Sequence, residues 1–268
     1  MSLGENIRIA RKRSELTQEE LAERLGVSFK AVSGWENDKY QPTVENLEQM
    51  SLILNVGTDK LCGGEFWKYD TKMFDESHVS AFLKSRFADG NWPQSTYALR
   101  LAKETHADVY RDNEGLIPYI LHPMTLACQA FAMGIADDDL VAALLLHDVI
   151  EDSKNGLKVD DLNVNDPVKD IVRLVTKNKG SNFTEEAYYR AISGNPKACL
   201  VKCMDRCNNI STMSIKFSRK KMAEYVRETE EYIMPLLDTV KNTPGYNNAA
   251  WLLGYQMKSQ LLTYKAFL

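Results

Sequence analysis

The chain has 268 residues, 44% of them hydrophobic, 9% aromatic and 26% charged, which is enough apolar material for a core and excludes disordered and fibrous classes. Lys+Arg 33 against Asp+Glu 37 leaves a formal charge of −4, so any contact with nucleic acid has to come from a local patch. The longest apolar run, Leu140 to Leu146, is far short of the roughly 20 residues a spanning helix needs, and no apolar signal core follows Met1, so the expectation is a cytoplasmic chain without a membrane partner.

Residues 1 to about 64 read as short helices with tight turns. Thr17-Gln18-Glu19-Glu20 has the form of a capping box opening the run Leu21 to Leu25, and Gly26 ends it. Ser28 caps a second helix, Phe29 to Asn37, after a turn of three residues. Pro42-Thr43 starts another, with Leu47, Met50, Leu52 and Leu54 expected on its buried face. Two helices joined so closely make a helix-turn-helix.

These residues resemble the Cro/C1-type DNA-binding domain. The resemblance is carried by Ile9-Ala10-Arg11-Lys12, Leu16 to Ala22, Gly26-Val27-Ser28, Trp35-Glu36-Asn37, Pro42 and the helix Leu47 to Leu54. It implies that the start and outer face of the second helix, Ser28, Phe29, Lys30, Ser33 and Gly34, reach base edges, while Gln18 touches phosphate. Residues 1 to 65 hold eight Lys/Arg against eleven Asp/Glu, so the electrostatic footing is expected from Arg8, Arg11, Lys12 and Arg13. The competing reading is a module that dimerises or docks a partner without reading a sequence.

From Cys62-Gly63-Gly64 the pattern changes, and residues 66 to 92 read as a connector with some helix. A second helical region runs from Pro93 to about Val240, with start signals at Asp137/Asp138, Asp166-Pro167, Thr184-Glu185-Glu186 and Asn195-Pro196. No stretch alternates with period two, so the chain is expected to be all-α. The amphipathic stretch Asn247 to Leu268 is expected to pack back as a terminal helix or against a second subunit. Five cysteines give an odd count and no pairing framework. Cys199, Cys203 and Cys207 form one helical stripe, better read as core than as a thiolate metal site.

The stretch Leu140 to Asp152 reads as one helix, in which seven apolar residues are followed by His147, Asp148, Glu151 and Asp152. Carboxylates at the end of a core helix need a counter-charge. Glu151 stands one turn beyond His147 and Asp152 one turn beyond Asp148, so all four crowd one side. Imidazole beside carboxylate suits Mn²⁺, Fe²⁺ or Zn²⁺ better than Ca²⁺. Of the other histidines, His78, His106 and His122, the last stands before Pro123 at a helix start. Asp205 is the acid at the centre of an otherwise apolar helix, Val201 to Asn209, where it could instead pair with Arg206 or Lys202.

Together these segments resemble the HD-domain superfamily, and more narrowly the hydrolase domain of RelA/SpoT-type proteins and the small alarmone hydrolases. The carriers are Tyr119 to Pro123, Ala143 to Asp152, Val175-Thr176-Lys177, and Val201-Lys202 with Asp205-Arg206 and Asn209. The resemblance implies that His122, His147, Asp148 and Asp205 hold a divalent metal, Mn²⁺ in this family. It also implies that Glu151 and Asp152 position and deprotonate a water attacking phosphorus. The substrate implied is a guanosine tetra- or pentaphosphate losing its 3′ pyrophosphate, with Arg111 stacked on the base and Lys202, Asn209 and Thr212 lining its pocket. Three departures alter that pocket: Asp112 replaces a basic residue, the segment to Pro118 is longer, and Asn208 stands where a histidine is expected.

The expected organisation is a helix-turn-helix domain over residues 1–65, a connector over 66–92, an HD-type hydrolase domain over 93–240 and a C-terminal helix over 241–268. A homodimer is expected, since helix-turn-helix proteins act on two-fold operators. Three functions remain open at this point: a guanosine-polyphosphate hydrolase with a DNA-binding head, a regulator whose HD domain senses a nucleotide, and an HD nucleotidase or phosphodiesterase of other specificity.

Overall fold

The computed structural model describes residues 2–62, 75–111, 117–177, 180, 183–215 and 217–268, except the side chains of residues 59, 60 and 215. Asp112 and residues 66–74 of the expected connector lie outside the described residues. The chain divides into two compact units, residues 1–70 with 217–222 and residues 71–216 with 223–268. Among the described residues there is no β-strand, only an isolated bridge between Tyr110 and Pro118.

The first unit, the head, holds α1 (Leu3–Arg13), α2 (Gln18–Leu25), α3 (Phe29–Glu36), α4 (Val44–Leu54) and α5 (Thr58–Leu61). Its boundaries follow from local chemistry. The Glu20 amide donates to Thr17 Oγ1 at 3.1 Å while the Thr17 amide donates to Glu20 Oε2 at 2.7 Å. Gly26 closes α2 in the left-handed region at φ 67°, and Ser28 and Thr43 cap α3 and α4. Ile7, Leu21, Val32, Trp35, Met50 and Leu61 fill the core. On α4 the buried face runs through Leu47, Met50 and Leu54 with Ile53 beside it, whereas Leu52 is 83% exposed, contrary to expectation. Two residues past Met50, Leu52 is rotated some 200° round the helix.

Arg11 also departs from expectation. It is buried, donating from Nε to Glu36 Oε1 at 2.5 Å, from Nη2 to Glu36 Oε2 at 2.9 Å and from Nη1 to the Leu16 carbonyl at 2.7 Å. It therefore ties α1 to α3 rather than facing a phosphate.

The second unit, the body, contains α6 (Glu76–Gly90), α7 (Pro93–Thr105), α8 (Leu121–Ala132), α9 (Asp138–Leu146), α10 (Val149–Asp152), α11 (Asp166–Val175), α12 (Glu185–Ser193) and α13 (Pro196–Thr212). Then α14 (Arg219–Glu228) passes through a π-helical turn, Thr229–Ile233, into α15 (Met234–Lys241), and α16 (Asn247–Phe267) follows. Asp137, Thr184 and Asn195 cap α9, α12 and α13 as expected, whereas α11 is capped by Asn165, with the expected Asp166-Pro167 forming its first two residues. The α13 helix is central, packing on α8, α9, α11, α12, α15 and α16. Its Cys199, Cys203 and Cys207 are buried free thiols. On α16, Leu253, Met257 and Leu261 are buried, whereas Trp251, Tyr255 and Leu262 are exposed. No helix among the described residues is long and apolar enough to cross a membrane.

The expected single helix from Leu140 to Asp152 is interrupted. Leu140 to Leu146 are all fully buried, α9 stops at Leu146, and α10 restarts at Val149. Between them His147 keeps helical angles (φ −57°, ψ −32°) while Asp148 turns away at φ −103°, ψ −7°.

Candidate metal centre

That interruption decides the site. Neighbouring residues in a straight helix point some 100° apart, so side chains at 147 and 148 would diverge. With the break, His147 Nε2 lies 3.0 Å from Asp148 Oδ2. The first turn of α8 adds His122, whose Nε2 is 3.2 Å from His147 Nε2 and 3.8 Å from Asp148 Oδ2. From α13, Asp205 Oδ1 comes within 3.3 Å of His122 Nε2 and 3.7 Å of His147 Nε2. Four donors from three separated stretches thus converge on one point. Ligand atoms of His122, His147 and Asp148 all lie within 4.8 Å of one another, a spacing compatible with one shared cation.

The partners behind these groups fit a cation. His147 Nδ1 lies 2.8 Å from the Leu144 carbonyl and so donates to it, which turns Nε2 inward. Tyr119 donates its hydroxyl to Asp148 Oδ2 at 2.6 Å, and burial with that carboxylate pushes the phenol pKa up, keeping it a donor. Lys202 donates to Asp205 Oδ2 at 2.9 Å, and Asn209 Nδ2 to Asp205 Oδ1 at 2.5 Å. Burial opposes ionisation of Asp205, but Lys202 and the two imidazoles hold its carboxyl below the usual range. Burial alone would push His147 down, yet Asp148 and Asp205 more than reverse this and raise it to about 10. In the chain alone, imidazolium and ammonium therefore oppose the charges of the buried Asp205 and the partly exposed Asp148, positions where a divalent cation would also supply positive charge.

The acidic pair sits on α10 beyond this cluster. Glu151 Oε1 accepts the Lys177 amide at 2.7 Å. Asp152 Oδ2 lies 3.6 Å from His106 Nδ1. Lys177 in turn donates from Nζ to Glu228 Oε1 at 2.9 Å, and that carboxylate also takes Tyr189 Oη–H at 2.6 Å and pairs with the buried Arg206 at 2.9 Å.

The expected substrate residues divide. Arg111 reaches the cluster, donating to Asn208 Oδ1 at 2.9 Å and to Asn209 Oδ1, with its guanidinium over the Tyr119 ring. Thr212 ends α13, half-buried, with its hydroxyl on the Asn208 carbonyl. Lys202, expected to bind substrate, is turned inward onto Asp205 with 13% of its side chain exposed. Three residues of the neighbourhood escape sequence reasoning. His106 is buried with neither ring nitrogen hydrogen-bonded, and its ring packs on Tyr119 at 4.7 Å. Tyr119 belongs to the Tyr119 to Pro123 stretch, which assigns it no role, and Asn208 departs from the histidine expected at its place. That His106 joins His122 and His147 while His78 is exposed on α6 depends on tertiary packing.

In the head, Phe29 (45% exposed) and Lys30 lie on the outer face of α3, and Ser33 is half-buried there. Ser28 is the cap, accepting from the Ala31 amide at 3.2 Å. Gln18 donates to Glu36 Oε2 at 2.7 Å, joining the Arg11 pair. Gly34 is covered: a Cβ there would lie 2.3 Å from the Tyr40 ring, whose hydroxyl donates to the Lys30 carbonyl at 2.7 Å.

Residues 7–61 match the family model described as helix-turn-helix. The chain carries an N-terminal helix-turn-helix domain. Over 65 residues it is 42% identical to the HTH-type transcriptional activator BcrR of Enterococcus faecalis, covering 24% of this chain and 32% of that protein. The body is similar to RelA/SpoT-type proteins. It is 32% identical over 145 residues to the guanosine-3′,5′-bis(diphosphate) 3′-pyrophosphohydrolase of Aquifex aeolicus, covering 52% of this chain and 20% of the relative. A GTP pyrophosphokinase of Streptomyces coelicolor is 32% identical over 143 residues, 51% of this chain and 16% of its own. The chain thus spans a third or less of the length of these relatives.

Proposed function

We propose that the body is a divalent-metal-dependent phosphohydrolase that removes pyrophosphate from the 3′ position of a guanosine tetra- or pentaphosphate, and that the head binds DNA. The observation that carries this reading is the convergence of His122, His147, Asp148 and Asp205 within 4 Å contacts, with Glu151 and Asp152 one turn beyond. Similarity to a protein named as the 3′-pyrophosphohydrolase supports the substrate class.

A bound Mn²⁺ would lower the pKa of a water and offset charge developing on phosphorus. The chain's own groups do the rest. Asp152 takes the proton of the attacking water, and Glu151, its Oε1 held by the Lys177 amide, orients that water. Tyr119 fixes Asp148 through the hydroxyl bond. Lys202 keeps Asp205 ionised, and Asn209 holds it in place. Arg111, its edge on Asn208 and Asn209 and one face toward Tyr119, offers the other face to a purine. In the head, Phe29, Lys30 and Ser33 meet base edges, and Ser28 and Gln18 flank the backbone side.

The test is incubation of the purified chain with Mn²⁺ and guanosine tetraphosphate. Release of pyrophosphate supports the proposal. Tight binding without turnover replaces it with a nucleotide sensor, and orthophosphate released from other nucleotides replaces it with a nucleotidase. DNA affinity falling steeply with added salt supports the role of the head, and salt-independent affinity overturns it.

A further inference from the structure

Asn208 stands directly behind a proposed ligand. Its Oδ1 is 2.7 Å from His122 Nδ1 and 2.9 Å from Arg111 Nη1, and the two nitrogens are 3.2 Å apart. The chemistry allows a single assignment. A guanidinium has donors and no acceptor, so the Asn208 atom it meets must be the carbonyl oxygen. The same oxygen then faces His122 Nδ1, which must carry a hydrogen to make a bond of that length. Nδ1–H leaves the lone pair on Nε2, the atom aimed at His147, Asp148 and Asp205. Arg111 and His122 Nδ1 are consequently both donors to one acceptor and make no hydrogen bond with each other.

We infer that Asn208 is a positioning residue through which Arg111 fixes the tautomer of His122, so that metal retention and the placement of the nucleotide-facing arginine are coupled. The inference rests on the metal reading above and deepens it. A histidine at this place, as the family resemblance expects, offers a ring nitrogen that can donate or accept and imposes no such choice. An amide beneath an arginine does impose it. Groups that orient a metal-bound imidazole in this way contribute about 10- to 100-fold to metal affinity.

The test is calorimetric titration of the full chain with Mn²⁺ alone, without nucleotide. Asn208→Ala is expected to weaken binding about 10- to 100-fold. Asn208→Asp, which keeps an acceptor and cannot present a donor when ionised, is expected to retain at least wild-type affinity. Arg111→Met should change affinity differently in the wild-type and Asn208→Asp backgrounds, because a carboxylate needs no arginine to orient it. This comparison cancels the bare loss of a positive charge and does not depend on Asn208→Ala folding. Unchanged Mn²⁺ affinity in Asn208→Ala, or an Arg111→Met effect identical in both backgrounds, overturns the inference and leaves the metal reading intact. A wild-type chain that binds no Mn²⁺ overturns both.

Discussion

At the residue scale the cluster separates holding an ion from using it. Asp148 lies at 3.0 Å from His147 Nε2, whereas Asp152 belongs to the turn beyond and faces His106. Asp148→Ala is expected to abolish Mn²⁺ binding in calorimetry. Asp152→Asn is expected to bind Mn²⁺ as the parent does while turnover of guanosine tetraphosphate falls about 10²- to 10⁴-fold. The protonation of His147 gives a pH dependence. Its pKa is raised to about 10 in the chain alone, so at neutral pH an incoming cation must displace a proton. Mn²⁺ affinity should therefore rise with pH between 6 and 9, with proton release measurable by titration in buffers of different ionisation enthalpy. Constant affinity over that window refutes the charge assignment. The four proposed ligand residues stand out in the sequence because buried acids and imidazoles on apolar helices have few other uses, and the structure brings their side chains together. His106 and Asn208 do not, since nothing local shows which way a lone polar side chain faces. Nor does the sequence show which way Lys202 faces: one turn from Asp205, it is turned inward onto that carboxylate.

At the element scale the body relies on a buried ionic knot joining α12, α13 and Lys177, just past α11, to the end of α14. Glu228 accepts Arg206, Lys177 and Tyr189, and burial notwithstanding, Arg206 and these bonds lower its pKa to about 2. A carboxyl depressed from 4.5 contributes stability that is complete above about pH 4.5 and lost as pH falls toward 2. Glu228→Gln leaves the buried Arg206 without its counter-charge and should cost about 3–5 kcal/mol in chemical denaturation of the body. It should also flatten the acid limb of the stability profile, and a variant with the parent's acid limb would refute this role. Helix starts were readable from their caps, since Thr17, Ser28, Thr184 and Asn195 each satisfy an amide within their own first turn. The stop after Leu146 was not readable. Apolar periodicity continues through Val149 and Ile150, and the bend carries no glycine or proline but falls where the fully buried run Leu140 to Leu146 ends.

At the scale of the whole molecule, two units of different chemistry share one chain. The proposed metal donors all belong to the body and none to the head, so ligand linkage should act on one unit. Mn²⁺ at 100 times its dissociation constant should stabilise the body by about 2.7 kcal/mol, and a chelator should reverse the gain. A calorimetric scan in which the body's transition ignores both would count against the metal. The all-α architecture and the two-unit order were visible from the start signals and the lack of period-two patterning. Which arginines of α1 are exposed was not, because the partner of Arg11 is Glu36, 25 residues away.

Because the stop after Leu146 is a main-chain feature, it sets the directions in which the side chains at 147 and 148 leave the backbone. An exchange at either position keeps that starting direction, while the new side chain's own length decides how far its polar atom reaches. Register cannot drift meanwhile, since the seven side chains from Leu140 to Leu146 are wholly enclosed and leave the scaffold no slack in which to slide.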